Sequence, residues 1–147
     1  MLDSVDALKM MFDDGVDSLW RTIKAMPADK LDWRPAEGTR TTREILEELV
    51  MTTPFSAELI HTMKVPEMAE QKYPQDIAEL EKMYRASVDD FIKAVREFPE
   101  DKLQEKMDLP WGAMTFFQMI TYPYWNLMYH WGQISYLQTM YGDKEMH

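Results

Sequence analysis

At 147 residues the chain has the length of one domain, long enough to bury a core without disulfide or metal staples. A formal net charge of −10, with no cluster of Lys or Arg, excludes a nucleic-acid backbone as partner, and zero cysteines exclude disulfides and any protein thiol as nucleophile or ligand. Hydrophobic content of 46% against 29% charged residues describes a soluble globular chain. No apolar run has the length of a membrane span, and the start Met1-Leu-Asp-Ser-Val-Asp6 lacks the basic-then-apolar order of a leader peptide, so the expected location is the cytoplasm, without a membrane partner. Fourteen methionines suit a helical core or an adaptable pocket, because thioethers fill irregular gaps.

Helical periodicity dominates, and sustained strand alternation is nearly absent. Val5, Leu8, Phe12, Val16, Leu19, Ile23 and Met26 form one stripe, capped by Asp3 or Ser4 and stopped by Pro27, with Gly15 a weak point inside it. The second helix starts at Thr41 or Thr42, with Glu44 placed to complete a capping box. It carries Ile45, Leu46, Leu49, Thr53, Ile60 and Met63 on its apolar face, Glu48 on the flank near Thr52, and Pro54 as an expected kink. Val65 to Pro74 reads as a connector bounded by prolines.

The third helix, from about Gln75 to Phe98, repeats the first. Ile77, Leu80, Tyr84, Val88, Phe91, Val95 and Phe98 each lie 72 positions after their counterparts, and Pro27-Ala-Asp-Lys-Leu31 returns as Pro99-Glu-Asp-Lys-Leu103. The fold class that follows is all-α: a single-domain four-helix bundle over residues 1–147, built from two αα-hairpins. Asp108 to Ala113 reads as a turn, and a fourth helix follows from Thr115 to a Gly142 stop.

That last helix breaks the rule that a buried face is apolar throughout. Met119, Tyr122, Asn126, His130, Gln133, Leu137 and Met140 share one face, polar at its middle. Asn126 and His130, at i and i+4, have the spacing at which two helical side chains hold one ion, and Glu48 is placed to join them from the second helix. The bland alternative is a closed network in which Glu48 pairs with His130 while Asn126 and Gln133 bond neighbouring groups. His61 lies too far along its helix to take part. Trp125, Trp131 and Tyr124 point away from the Asn126–His130 face, which leads to the expectation of a homodimer.

The stretch Asn126-Leu-Met-Tyr-His-Trp-Gly-Gln-Ile-Ser-Tyr-Leu-Gln-Thr-Met-Tyr-Gly142 resembles the last helix of the DinB superfamily, whose members read His-x-x-x-His, a variable residue, then Gly-Gln. Leu31 to Leu49 resembles that family's loop into helix 2, where a third His follows a capped start. The resemblance implies a metal centre at Glu48, Asn126 and His130, with Glu48 and Asn126 standing where the family has His. Thr52, Tyr122, Tyr129 and Gln133 would form the surrounding pocket, with Tyr122 or Tyr129 orienting substrate. It further implies a divalent metal, Zn or Ni, and a transferase, isomerase or hydrolase acting with a low-molecular-weight thiol such as bacillithiol or mycothiol. The alternative is a non-catalytic dimeric bundle, its metal site lost, that binds a small apolar ligand or a protein partner.

Overall fold

The computed structural model describes residues 3–67 and 71–147; the middle of the Val65–Pro74 connector lies outside the described residues. Four helices make the bundle: α1 (Ser4–Ala25), α2 (Thr42–Thr62), α3 (Ile77–Glu97) and α4 (Phe116–Met140). Asp3 caps α1 by accepting from the Asp6 backbone N–H, and Asp76 caps α3. Thr41 with Glu44, and Thr115 with Gln118, close full capping boxes on α2 and α4. Both α2 and α4 run unbroken past an internal proline, Pro54 and Pro123.

The internal repeat is visible in the backbone. α1 and α3 end alike, the Met26 N–H donating to the Ile23 carbonyl and the Phe98 N–H to that of Val95, each followed by a single 3-10 turn, Ala28–Lys30 and Glu100–Lys102. The two halves interlock. The main helix contacts are α1 with α3 and α4, and α2 with α3 and α4, so each helix lies against both helices of the other half. The expected stripes supply the core: Phe12, Leu19, Leu46, Leu49, Ile60, Leu80, Tyr84 and Phe91 are essentially inaccessible, joined by Trp20, Leu127 and Ile134.

One element departs from the sequence reading. Between α3 and α4 the chain forms an antiparallel β-hairpin, β1 (Lys106–Leu109) and β2 (Gly112–Thr115), with Leu109 opposite Gly112. The segment read as a turn is therefore the hairpin's tip, and α4 begins at Phe116 with Thr115 as cap. Four-residue strands are too short for period-two alternation to register. The Pro110–Trp111 tip closes because Gly112 takes φ +127°, a conformation costly for any residue with a Cβ.

Two aromatics expected on the outside of α4 face inward. Tyr124 packs edge-on against Phe12 with ring centroids 5.5 Å apart, and Trp131 donates its indole N–H to Thr22 Oγ1 at 2.9 Å. α1 and α4 come close enough for this because of Gly15, which is a contact surface rather than a flaw in α1. A Cβ there would sit 3.0 Å from Leu127 Cδ2. Gly15→Val should therefore cost about 1–3 kcal/mol by overpacking, measured as a lower denaturant midpoint with an unchanged slope.

Candidate functional site

The polar middle of α4 faces the flank of α2, and Glu48 is the point of convergence. Its Oε1 lies 2.9 Å from His130 Nε2 and 3.5 Å from Asn126 Nδ2. Its Oε2 accepts from Arg40 Nη1, while Arg40 Nη2 donates to the Glu44 carbonyl at 2.7 Å, fastening the loop before α2 to that helix's first turn. On the far side of the imidazole, His130 Nδ1 lies 2.6 Å from Gln133 Oε1. The three residues expected to meet do meet, and Gln133 orients the ring. Arg40, which sequence reasoning passed over, completes the cluster; its signal was a cation eight residues before Glu48 in a loop read only as a lead-in to α2.

His130 is 2% exposed, whereas the Glu48 side chain retains 28% exposure. Desolvation works against the charge on Glu48, but the hydrogen bonds and charges of His130 and Arg40 outweigh it and hold its carboxyl below the usual range. With Gln133 Oε1 accepting from Nδ1–H, Nε2 must also carry a proton to face the carboxylate, and the ring is an imidazolium. A half-turn of the Gln133 amide gives a neutral ring with the same two contacts. In both cases an N–H fills the gap between His130 and Glu48.

Beside this cluster opens a cavity of about 300 Å³. α2 lines it with two parallel rows, the polar Glu48, Thr52 and Ser56 and the apolar Met51, Phe55 and Leu59. The β-hairpin contributes Leu109, Trp111 and Met114, and α4 contributes Met119 and Tyr122. Trp111 lies against Phe55 with centroids 6.0 Å apart, closing one side. Burial, then the charge of Glu48, pushes the Tyr122 phenol up, so it remains a donor. Of the residues expected in the pocket, Thr52 and Tyr122 line it and Gln133 supports His130. Tyr129 does not line it; it packs edge-on against the His130 ring at 5.2 Å and stacks on Trp125. The hairpin wall went unanticipated because the strands themselves were.

A family model described as the DinB superfamily matches residues 11–134. The chain belongs to the DinB superfamily. Two solved structures share the DinB-like fold at low identity. A DinB-like protein, YjoA, from Bacillus subtilis is 14% identical with a TM-score of 0.67, the match covering 96% of each chain. A conserved protein from Enterococcus faecalis is 12% identical with a TM-score of 0.73, covering 95% of this chain and 98% of that one. At these identities the likeness is one of fold alone. Among curated proteins none matches the sequence.

The metal that the family resemblance implies would need Glu48, Asn126 and His130 as ligands. The spacing of Oε1 and Nε2 is one that two ligands of a single ion could have. The donor set is nevertheless poor. Among the described residues no three His, Cys, Asp or Glu side chains converge. The one carboxylate already carries Arg40 on its other oxygen, and Asn126 turns its Nδ2 toward Glu48. The buried Asn126 Oδ1, which has no hydrogen-bond partner among the described residues, also favours a cation, but a neutral amide oxygen is a weak ligand. These residues do not fit a tightly held divalent ion.

Two outcomes follow. Asn126→His should complete a Glu–His–His set on the existing frame and bind Zn²⁺ or Ni²⁺ at least about tenfold more tightly than wild type, roughly 1.4 kcal/mol, by titration calorimetry. Glu48→Gln should cost about 1.5–3 kcal/mol at neutral pH, the range for hydrogen bonds to charged groups. Because the native carboxyl is shifted down, its contribution is complete above the ordinary value of 4.5 and is lost as pH falls through the lower native value. Denaturant curves of the two proteins should therefore converge in acid and not in base.

Proposed function

We propose that this DinB superfamily member binds a small, largely apolar molecule in the cavity between α2, the β-hairpin and α4, with Glu48 as its polar anchor. The observation that carries this reading is the composition of the wall. One row of Glu48, Thr52 and Ser56 runs along an otherwise apolar, methionine- and aromatic-rich surface, with Tyr122 as a further donor. Pockets of this size that combine apolar walls with a few convergent polar groups are ligand sites, and methionines let such a wall adapt to ligand shape. The suitable ligand has an apolar body and a hydrogen-bonding group on one edge.

In this reading the Glu48–His130 pair takes the place of a resident metal. His130 does not line the cavity, so its part is to hold Glu48 charged and oriented, and of the pair it is Glu48 that presents polar atoms to the ligand. The metal-dependent transferase or hydrolase reading would route the chemistry through an ion for which this chain offers one carboxylate and one imidazole. Elemental analysis of untagged protein separates the two.

The binding reading is tested with the fluorescent probe N-phenyl-1-naphthylamine, an apolar molecule with one N–H donor. Its emission should rise on saturable binding to wild type. Met51→Trp, which fills the cavity, should weaken binding at least about tenfold, with helicity unchanged by circular dichroism. Equal binding by wild type and Met51→Trp would remove the cavity from consideration.

A further inference from the structure

The cavity beside Glu48 holds two hydroxyls that the fold itself does not use. Thr53, Thr62, Thr121 and Thr139 turn back on their own helices and donate to the carbonyl four residues earlier. Thr52 and Ser56 make no such bond, and neither hydroxyl has a partner among the described residues, although they are only 8% and 7% exposed and both line the cavity. Buried polar groups are costly without a partner, so these two point to one that comes from outside the chain. With Glu48 they form a row one helical turn apart, about 6 Å between neighbours along the axis. Tyr122 joins the head of the row from α4, its phenol near enough for the charge of Glu48 to act on it.

We infer that the cavity selects a neutral aryl alcohol: a flat aromatic body whose hydroxyl donates to Glu48 and accepts from Tyr122, with a second hydrogen-bonding group farther along the same edge for Thr52 and Ser56. The inference rests on the cavity reading above and names the class of molecule. Local charge excludes the alternatives. Glu48 carries the only formal charge on the lining among the described residues, so an anionic ligand meets like charge against largely apolar walls. A cation gains little, because Arg40 already pairs with that carboxylate. A second buried cation would lose its hydration without a free counter-charge. A neutral hydroxyl costs far less to desolvate and needs only one lone pair. A carboxylate offers about four such sites. His130 and Asn126 take two on Oε1 and Arg40 one on Oε2, which leaves one on Oε2. The walls specify the body. Phe55, Trp111 and Tyr122 supply rings, and Met51, Met114 and Met119 supply polarizable thioethers, both of which pack well on aromatic faces and edges.

Competition against N-phenyl-1-naphthylamine on the full chain at neutral pH tests this with one scaffold in four forms: para-phenylphenol, para-phenylanisole, para-phenylbenzoate and the ammonium form of para-phenylbenzylamine. The phenol should displace the probe at concentrations at least about tenfold lower than each of the other three. The diol p,p′-biphenol should bind more tightly still. Thr52→Val with Ser56→Ala, which removes both hydroxyls at nearly constant shape, should bring the diol back to the affinity of para-phenylphenol. Glu48→Gln, its helicity checked by circular dichroism, should narrow the gap between the phenol and its methyl ether, since a neutral amide oxygen is the weaker acceptor. Equal displacement by all four compounds, or tightest binding by the ammonium or the carboxylate, would overturn the inference and leave the cavity reading standing. So would an unchanged gap in a folded Glu48→Gln, or a diol that gains nothing from Thr52 and Ser56. If neither the probe nor para-phenylphenol binds saturably, both the inference and the cavity reading fall.

Discussion

A half-buried carboxylate must be compensated by its surroundings, and for Glu48 the compensation comes from both directions. Arg40 reaches it from the loop before α2, and His130 reaches it from α4. Removing either donor would leave charge facing a low-dielectric wall, which is why such clusters resist piecemeal change. The cluster fixes how far the loop folds over α2 and the rotation at which α4 presents its polar middle. That rotation brings Met119 and Tyr122 into the cavity and leaves the Trp125–Tyr129 stack outside. Second contacts reinforce it: Gln133 holds the imidazole from behind, and Tyr129 covers its edge.

Most of the bundle was legible because long amphipathic helices state their buried face at every turn. The stripes of α1 and α3, the repeated Pro-x-Asp-Lys stop and the Thr41–Glu44 capping box all appear where the residues place them. The convergence of Glu48, Asn126 and His130 was legible for a related reason, since polar residues on a core-facing stripe must meet something. What stayed hidden depends on contacts between distant segments. Nothing local distinguishes Trp131, which finds a hydroxyl on α1, from Trp125, which finds only Tyr rings and solvent. Arg40 looked like an ordinary loop cation, and the hairpin strands are shorter than any periodicity that could announce them. The cavity shared this fate, because three of its lining residues come from the hairpin.

α4 carries two demands on one helix. Its inner face supplies core residues such as Leu127 and Ile134 and, one turn away, the imidazole that hydrogen-bonds Glu48 of α2. Its outer face is aromatic. A helix of this kind has weak amphipathic character by any simple periodic measure, although each arc around it is well defined: apolar core, polar site, aromatic exterior. Membership in the DinB superfamily fixes the frame on which these arcs are arranged. The side chains at the site then determine what the frame can hold, and here the strongest donors are already satisfied by one another.

The interlocking of the two halves bears on how the chain reaches its native state. In a bundle whose sequence neighbours pack together, each hairpin can bury apolar surface as soon as it forms. Here α1 and α2 find their principal partners in the other half, so the stripe of neither half is covered until segments some seventy residues apart have met. Collapse within one half gains little, and the entropy of closing long loops must be met before most native contacts form. The duplicated pattern thus yields a single cooperative unit, and a chain cut between α2 and α3 would produce two fragments, each with an exposed apolar stripe whose complement lies on the other.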